Sequence, residues 1–266
     1  MRAADYLEQN PEGVHALAGR LAFLRYEKRT LGRARRYMME SAYLAALELR
    51  NLGKRATHED AAKAVTSYVK LLIPVLHGML LPAMSASARL GSYGIERADL
   101  SHSNSGKHAI RSRHTRQLNR LAKGFASRRF DGRDLEDRCT AAAASYIAHM
   151  ASEAAHAFTR SGSEGAGRAV EEYAAFGLRD KPRARGGENG LPDNPGWQVD
   201  LLVVSELNYA YNAGIAASGS IYDGYVGSQW TLSPEHDIVD ICDDYATEDR
   251  HGLGPNHRTF FARGEE

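Results

Sequence analysis

The chain is 266 residues long, enough for one large domain or two modest ones with a buried core. Its 43% hydrophobic and 25% charged residues exclude a wholly disordered chain, and two cysteines exclude a disulfide scaffold. The balance of 34 Lys+Arg against 33 Asp+Glu names no partner by bulk charge, but it hides a split. Residues 1–140 carry 25 basic and 14 acidic residues, a net of +11, and the remainder carries a net of −10. Eight basic residues and no acid lie between Lys107 and Arg129; eight acids and no Lys or Arg lie between Asp223 and Asp249. Such a chain either presents a polyanion-facing end and an acidic end, or neutralises one half with the other.

The predicted elements are mainly α. Gly13 to Leu52 is rich in strong helix formers, with Leu17, Leu21 and Leu24 on one face and Gly53 placed to end it. Thr57 caps the next helix, whose apolar stripe runs Val65, Tyr68, Val69, Leu72, Val75, Leu76 and Met79, with a kink expected at Pro74. The uncharged stretch Leu71–Ala88 is interrupted by Pro, Gly, His and Ser, which suits a buried helix better than a membrane span. The start, MRAADYLEQN, lacks the apolar core of a signal peptide, so a soluble protein made in the cytoplasm is expected. Residues 91–106 read as a loop, 107–129 as a basic helix, and 131–158 as an Ala-rich helix interrupted by Gly and Ser at 161–168 before resuming to Phe176.

Five Gly and three Pro between 177 and 197 mark a linker or surface loop, dividing a helical domain (1–176) from a C-terminal module (198–266). The module is expected to be a small α+β unit of helix, short hairpin and helix. Val199–Ala217 forms its first helix, with Leu202, Val203, Leu207, Ala210 and Tyr211 inward. The hairpin falls in 220–231, and Ser233-Pro234 starts the last helix. Trp230 should pack with Ile238, Ile241, Cys242 and Tyr245 as the core of this module.

Catalytic signatures are sparse. There is no HExxH, no GxSxG and no Gly-x4-Gly-Lys phosphate loop, and Ser67-Tyr68-Val69-Lys70 fits SxxK without companion motifs. His236, Asp240 and Asp244 share a region with Cys242, and such a set could serve a metal-dependent hydrolase; alternatively Cys242 belongs to an apolar face and the acids to a solvated one. The basic residues Lys107, Arg111, Arg113, Arg116, Arg120, Lys123, Arg128 and Arg129 suit phosphate oxygens, and with no base-reading motif any nucleic-acid contact would be non-specific. The alternative is a charged helix facing water or an acidic protein. On the binding reading, Arg113, Arg116 and Arg120 should tolerate reversal to Glu without unfolding the chain.

The block Ser205-Glu206-Leu207-Asn208-Tyr209-Ala210-Tyr211-Asn212-Ala213-Gly214, followed by Gln229-Trp230-Thr231-Leu232-Ser233-Pro234-Glu235-His236 and Asp240-Ile241-Cys242-Asp243, resembles the minor head or head-morphogenesis proteins of tailed bacteriophages, the Mu F-like family. The resemblance covers about 50 residues, and no second cysteine follows Cys242. It implies a non-enzymatic structural protein of the virion, in the head interior or beside the portal, made in the host cytoplasm. Its implied partners are the portal protein, capsid or scaffold proteins and packaged DNA, with no cofactor and no membrane. It marks Glu206, Asn208, Trp230, Ser233, Pro234, His236, Asp240 and Cys242 as residues of a structural motif.

Overall fold

The computed structural model describes residues 13–102, 106–177, 196–222, 227–229 and 260–262. These residues are mainly helical: α1 (Gly13–Arg50), α2 (His58–Val69), α3 (Leu72–His102), α4 (Lys107–Gly124), α5 (Leu135–Gly177) and α6 (Trp197–Gly219). Two three-residue strands, β1 (Gly227–Gln229) and β2 (Phe260–Ala262), pair antiparallel with Ser228 opposite Phe261. The expected hairpin within 220–231 is therefore corrected: Ser220 and Tyr222 close the end of α6 through bonds to Ala216 and Gly219, and β1 takes its partner from 31 positions away. The segment that would hold Trp230 and the last helix lies outside the described residues.

Local chemistry explains most helix ends. Thr57 caps α2 in a reciprocal box, its hydroxyl accepting from Asp60 N while Asp60 accepts from Thr57 N at 2.8 Å. Pro74 does more than kink the second helix. It has no N–H for the Lys70 carbonyl and its ring crowds that turn, so the helix breaks at 70–71 and α3 restarts at Leu72. The Ala-rich helix begins at Leu135 rather than Asp131, because Asp131 and Gly132 take positive φ in a turn and Asp134 caps Asp137 N at 2.9 Å. Its interruption is a single residue, Gly162, at φ 68° and ψ −165°, after which the helix resumes to Gly177.

Two further expectations change. Residues 91–102 are helical, not a loop, because Gly91, Ser92 and Asp99 are buried and tertiary packing overrides their weak helix propensity. On α1, Leu21 and Leu24 are exposed, and the buried face is instead Phe23, Thr30, Ala34, Met38, Ala42 and Ala45. Of the expected apolar stripe, Val65, Leu72 and Leu76 are buried, whereas Val75 is exposed and Tyr68 and Met79 are half-buried; the buried face of α3 instead continues from Leu76 to Leu80 and Met84 at four-residue steps. By length and composition the stretch His58–His102 could also cross a membrane, and 39% of its most apolar window is buried.

The chain divides into two compact units, and α1, α3, α4 and α6 each contribute to both. The unit formed by residues 22–87 and 122–210 holds the larger core, with Phe23, Met38, Leu49, Leu76, Leu80, Tyr146, Met150 and Leu207 fully buried. Within it α2 packs on α5, and the Tyr146 hydroxyl donates to the Met38 carbonyl at 2.9 Å. Burial pushes that phenol above its ordinary range, so it stays a neutral donor. Ion pairs tie the basic half of the sequence to the acidic half here: Arg35 to Asp200, Arg50 to Glu171 and Glu164, and Arg128 and Arg138 to Glu206. Neutralisation between the halves thus accounts for at least part of the charge split.

The other unit comprises residues up to Leu21, Ala88–Leu121 and the chain from Tyr211 onward. Here α3 and α6 meet at a glycine on each helix. A methyl group at Gly91 would overlap the Tyr211 carbonyl, and one at Gly214 would overlap the Ala88 carbonyl. Helix axes approach this closely only where a Cβ is missing. Around the crossing, His15 meets Tyr93 edge to face and the Arg20 guanidinium lies over the Tyr211 ring.

Gly91→Ala and Gly214→Ala should therefore each destabilise the protein by about 1–3 kcal/mol or more through overpacking. Gly32→Ala, at a helical position with open space around its Cα, should be neutral or stabilise by up to about 1 kcal/mol. Thermal melting of the three variants checks the contrast. A second test concerns pH. Arg50 donates to both Glu171 oxygens, at 2.9 and 2.6 Å, and this hydrogen bonding lowers the Glu171 pKa. A lowered carboxylate pKa gives stability that is complete above the unfolded value of about 4.3 and is lost as pH falls through the folded value. Arg50→Gln should cost about 1 kcal/mol at pH 7, a figure kept small by the pair's partial exposure, and the gap to wild type should close toward pH 3. A gap independent of pH would refute the pairing.

Candidate nucleic-acid interface

Helix α4 buries Ile110, His114 and Leu118 at four-residue steps, which sets the rest of its circumference outward. The eight basic residues expected to meet a polyanion then fall into two groups. Lys107, Arg111, Arg116, Arg120, Lys123 and Arg129 are exposed, and none makes an ion pair among the described residues. Arg116 and Arg120 lie one turn apart, opposite the buried stripe, with Arg111 on its flank. Lys107 to Arg120 belong to one compact unit and Lys123 to Arg129 to the other.

Arg113 and Arg128 do other work. Arg113 Nη2 donates to Asp99 Oδ2 at 2.9 Å, and His114 Nε2 lies 2.9 Å from the same oxygen. Asp99 is 2% exposed, so its carboxylate depends on these two side chains for the hydrogen bonding that water would supply. Reversal of Arg113 to Glu would set two carboxylates against each other in a buried site. The expectation that Arg113 could be reversed without unfolding is corrected on that ground. Arg128 stacks over the Tyr209 ring at 3.4 Å and approaches Glu206, both oxygens at 3.5 Å, while Arg138 Nε donates to Glu206 at 2.9 Å. Glu206 is 3% exposed. Removing a partner from such a pair leaves a buried charge and costs about 3–5 kcal/mol.

The structural-motif residues divide in the same way. Glu206 is the buried anchor just described, and Asn208 donates to Glu27 at 2.6 Å and to the Val204 carbonyl at 3.0 Å. Leu202, Val203, Leu207, Ala210 and Tyr211 of the same helix are buried, as the periodicity predicts. Trp230, Ser233, Pro234, His236, Asp240, Cys242 and Asp244 lie outside the described residues. Among the described residues no three His, Cys, Asp or Glu side chains converge on a possible metal site. Cys139 is buried beside Leu135 and Ala143 on its own helix, and desolvation, with a smaller contribution from Glu206, pushes its thiol up to about 12, far from nucleophilic range.

One basic face escapes the sequence reading. Arg25, Arg29, Arg33 and Arg36 of α1 are all exposed and form no ion pair among the described residues. Their spacing of four, four and three places them on one side of the helix. That spacing was the available signal; it is obscured because Lys28, Arg35, Glu27 and Glu40 are interspersed along the same segment.

Compared with protein-family models, curated proteins and solved structures, the chain matches none. The candidate interface rests on charge and geometry, and these make a direct prediction. Arg111→Glu, Arg116→Glu and Arg120→Glu together should leave the fold intact and weaken duplex DNA binding, lowering the log–log salt slope by about 2.7 if each arginine contacts one phosphate. Arg113→Glu alone should instead lower the melting temperature. Salt-titrated anisotropy with a labelled duplex, beside thermal melting, separates the two.

Proposed function

We propose that the protein is a minor structural component of a tailed-phage head, associated with the portal and acting in head morphogenesis and DNA packaging or ejection. The carrying observation is the place of the Ser205–Gly214 block, which resembles the Mu F-like family. It forms nearly three turns in the middle of α6, and its polar residues Glu206 and Asn208 hold that helix to Arg128, Arg138 and Glu27. Side chains engaged in this way serve architecture rather than catalysis. The exposed arginines of α4 add support, because a sequence-independent phosphate contact is what a protein near packaged DNA requires. On this reading the partners are the portal protein, capsid or scaffold proteins and packaged DNA.

The reading predicts that the protein is present in purified particles and that its deletion lowers infectivity. Mass spectrometry of particles with plaque counts on the deletion phage checks both. Fully infectious particles that never contain the protein would remove the assembly role.

A further inference from the structure

Between α1 and α3, inside the larger compact unit, lies a cavity of about 500 Å³ lined by Tyr26, Thr30, Arg33, Tyr37, Met79 and Pro82, among others. Thr30 and Ala83 form its buried floor, while Arg33, Arg36, Val75 and Pro82 are exposed at its mouth. Two tyrosines, a proline and a methionine add flat or apolar surface to a lining that is otherwise largely polar. The arginine row of α1 runs directly past it: Arg33 and Arg36 line the cavity, and Arg29 and Arg25 continue the same face for two more turns. Four residues of helix rise about 6 Å, so the row extends over about 16 Å, long enough to meet more than one phosphate of a strand. One acid, Glu40, shares the lining and can accept from a base N–H.

We propose that this groove binds single-stranded nucleic acid, with successive unpaired bases stacking on Tyr26 and Tyr37 separately and the adjoining phosphates on Arg33, Arg36, Arg29 and Arg25. The groove is separate from helix α4 and does not rest on the phage reading. Arginine suits phosphate because its fork donates two parallel hydrogen bonds, and four such groups with one opposing acid attract a polyanion. Charge alone would serve a duplex equally well. The cavity decides the occupant, because a base stacked in a duplex cannot enter it, whereas an unpaired base presents its π-face to aromatic walls without prior unstacking. An acidic protein segment would use the arginines but has no need of the two tyrosine rings in the lining.

The test uses the full-length protein and three probes at matched ionic strength: a labelled dT oligonucleotide, a duplex of equal length and a polyglutamate peptide. The single strand should bind tightest. Tyr26→Leu with Tyr37→Leu should weaken it about fivefold or more while leaving duplex binding unchanged, since stacking on these rings is lost and the charges remain. Arg33→Gln with Arg36→Gln, at exposed positions that do not carry the fold, should lower the single-strand salt slope by about 1.4. The α4 triple Glu variant should keep the tyrosine-dependent preference for single strand over duplex, so failure of the α4 interface and failure of this groove are distinguishable. Equal loss on single strand and duplex in the tyrosine variant, an unchanged salt slope in the arginine variant, or tighter binding of polyglutamate than of the oligonucleotide would each overturn the proposal.

Discussion

Helix α6 buries two carboxylates, and the larger compact unit is organised by the need to answer them. Asp200 and Glu206 are 4% and 3% exposed, and a carboxylate taken out of water must find donors or abandon its charge. Arg35 supplies Asp200 from α1 with Nε and Nη2 together. Arg138 supplies Glu206 from α5, joined by Arg128 from the segment that follows α4. Three separate stretches of chain are thereby set against one helix, and a slip of α6 by a turn would strand both acids. Hydrophobic burial alone would tolerate such a slip, because α6 is apolar around much of its circumference. The carboxylates make the register specific.

The same pairs explain why a chain so divided in charge folds without strong self-repulsion. Arginines of the first 140 residues meet acids of the remainder within one core, and Arg50 with Glu171 repeats the arrangement at the far end of α1. What remains after that pairing is the informative residue of positive charge: the outward face of α4 and the arginine row of α1. A functional surface is thus identified by subtraction. Arg113 and Arg128 show why this matters, since by sequence they belong to the basic run and by structure they are engaged by the buried carboxylates of Asp99 and Glu206.

In the smaller unit the controlling constraint is steric. Gly91 and Gly214 let the backbones of α3 and α6 touch, which holds residues 91–102 in a helix despite a composition of Gly, Ser and charged residues. The buried Asp99 at the end of that stretch then fixes α4 through Arg113 and His114. Close approach, helix continuation and the seat of the basic helix are one chain of cause.

The sequence by itself determined the helical class, the capping of α2 by Thr57, the inward face of α6 and the core positions Leu72 and Leu76 of α3. Each of these is a local signal: side-chain periodicity, a hydroxyl three residues from an acid, or a proline without an N–H. Tertiary structure decided the rest. Whether Gly91 breaks a helix or lets another one approach depends on what lies opposite, and Tyr211 is 120 positions away. Whether an arginine is a ligand for phosphate or for Glu206 depends on which carboxylate folding brings within 3–4 Å, and no spacing along α4 encodes that. The tyrosine groove is legible only when α3 is laid beside α1, because its walls come from segments some forty residues apart. Pattern within an element is a property of the chain, whereas partnership between elements is a property of the packed core.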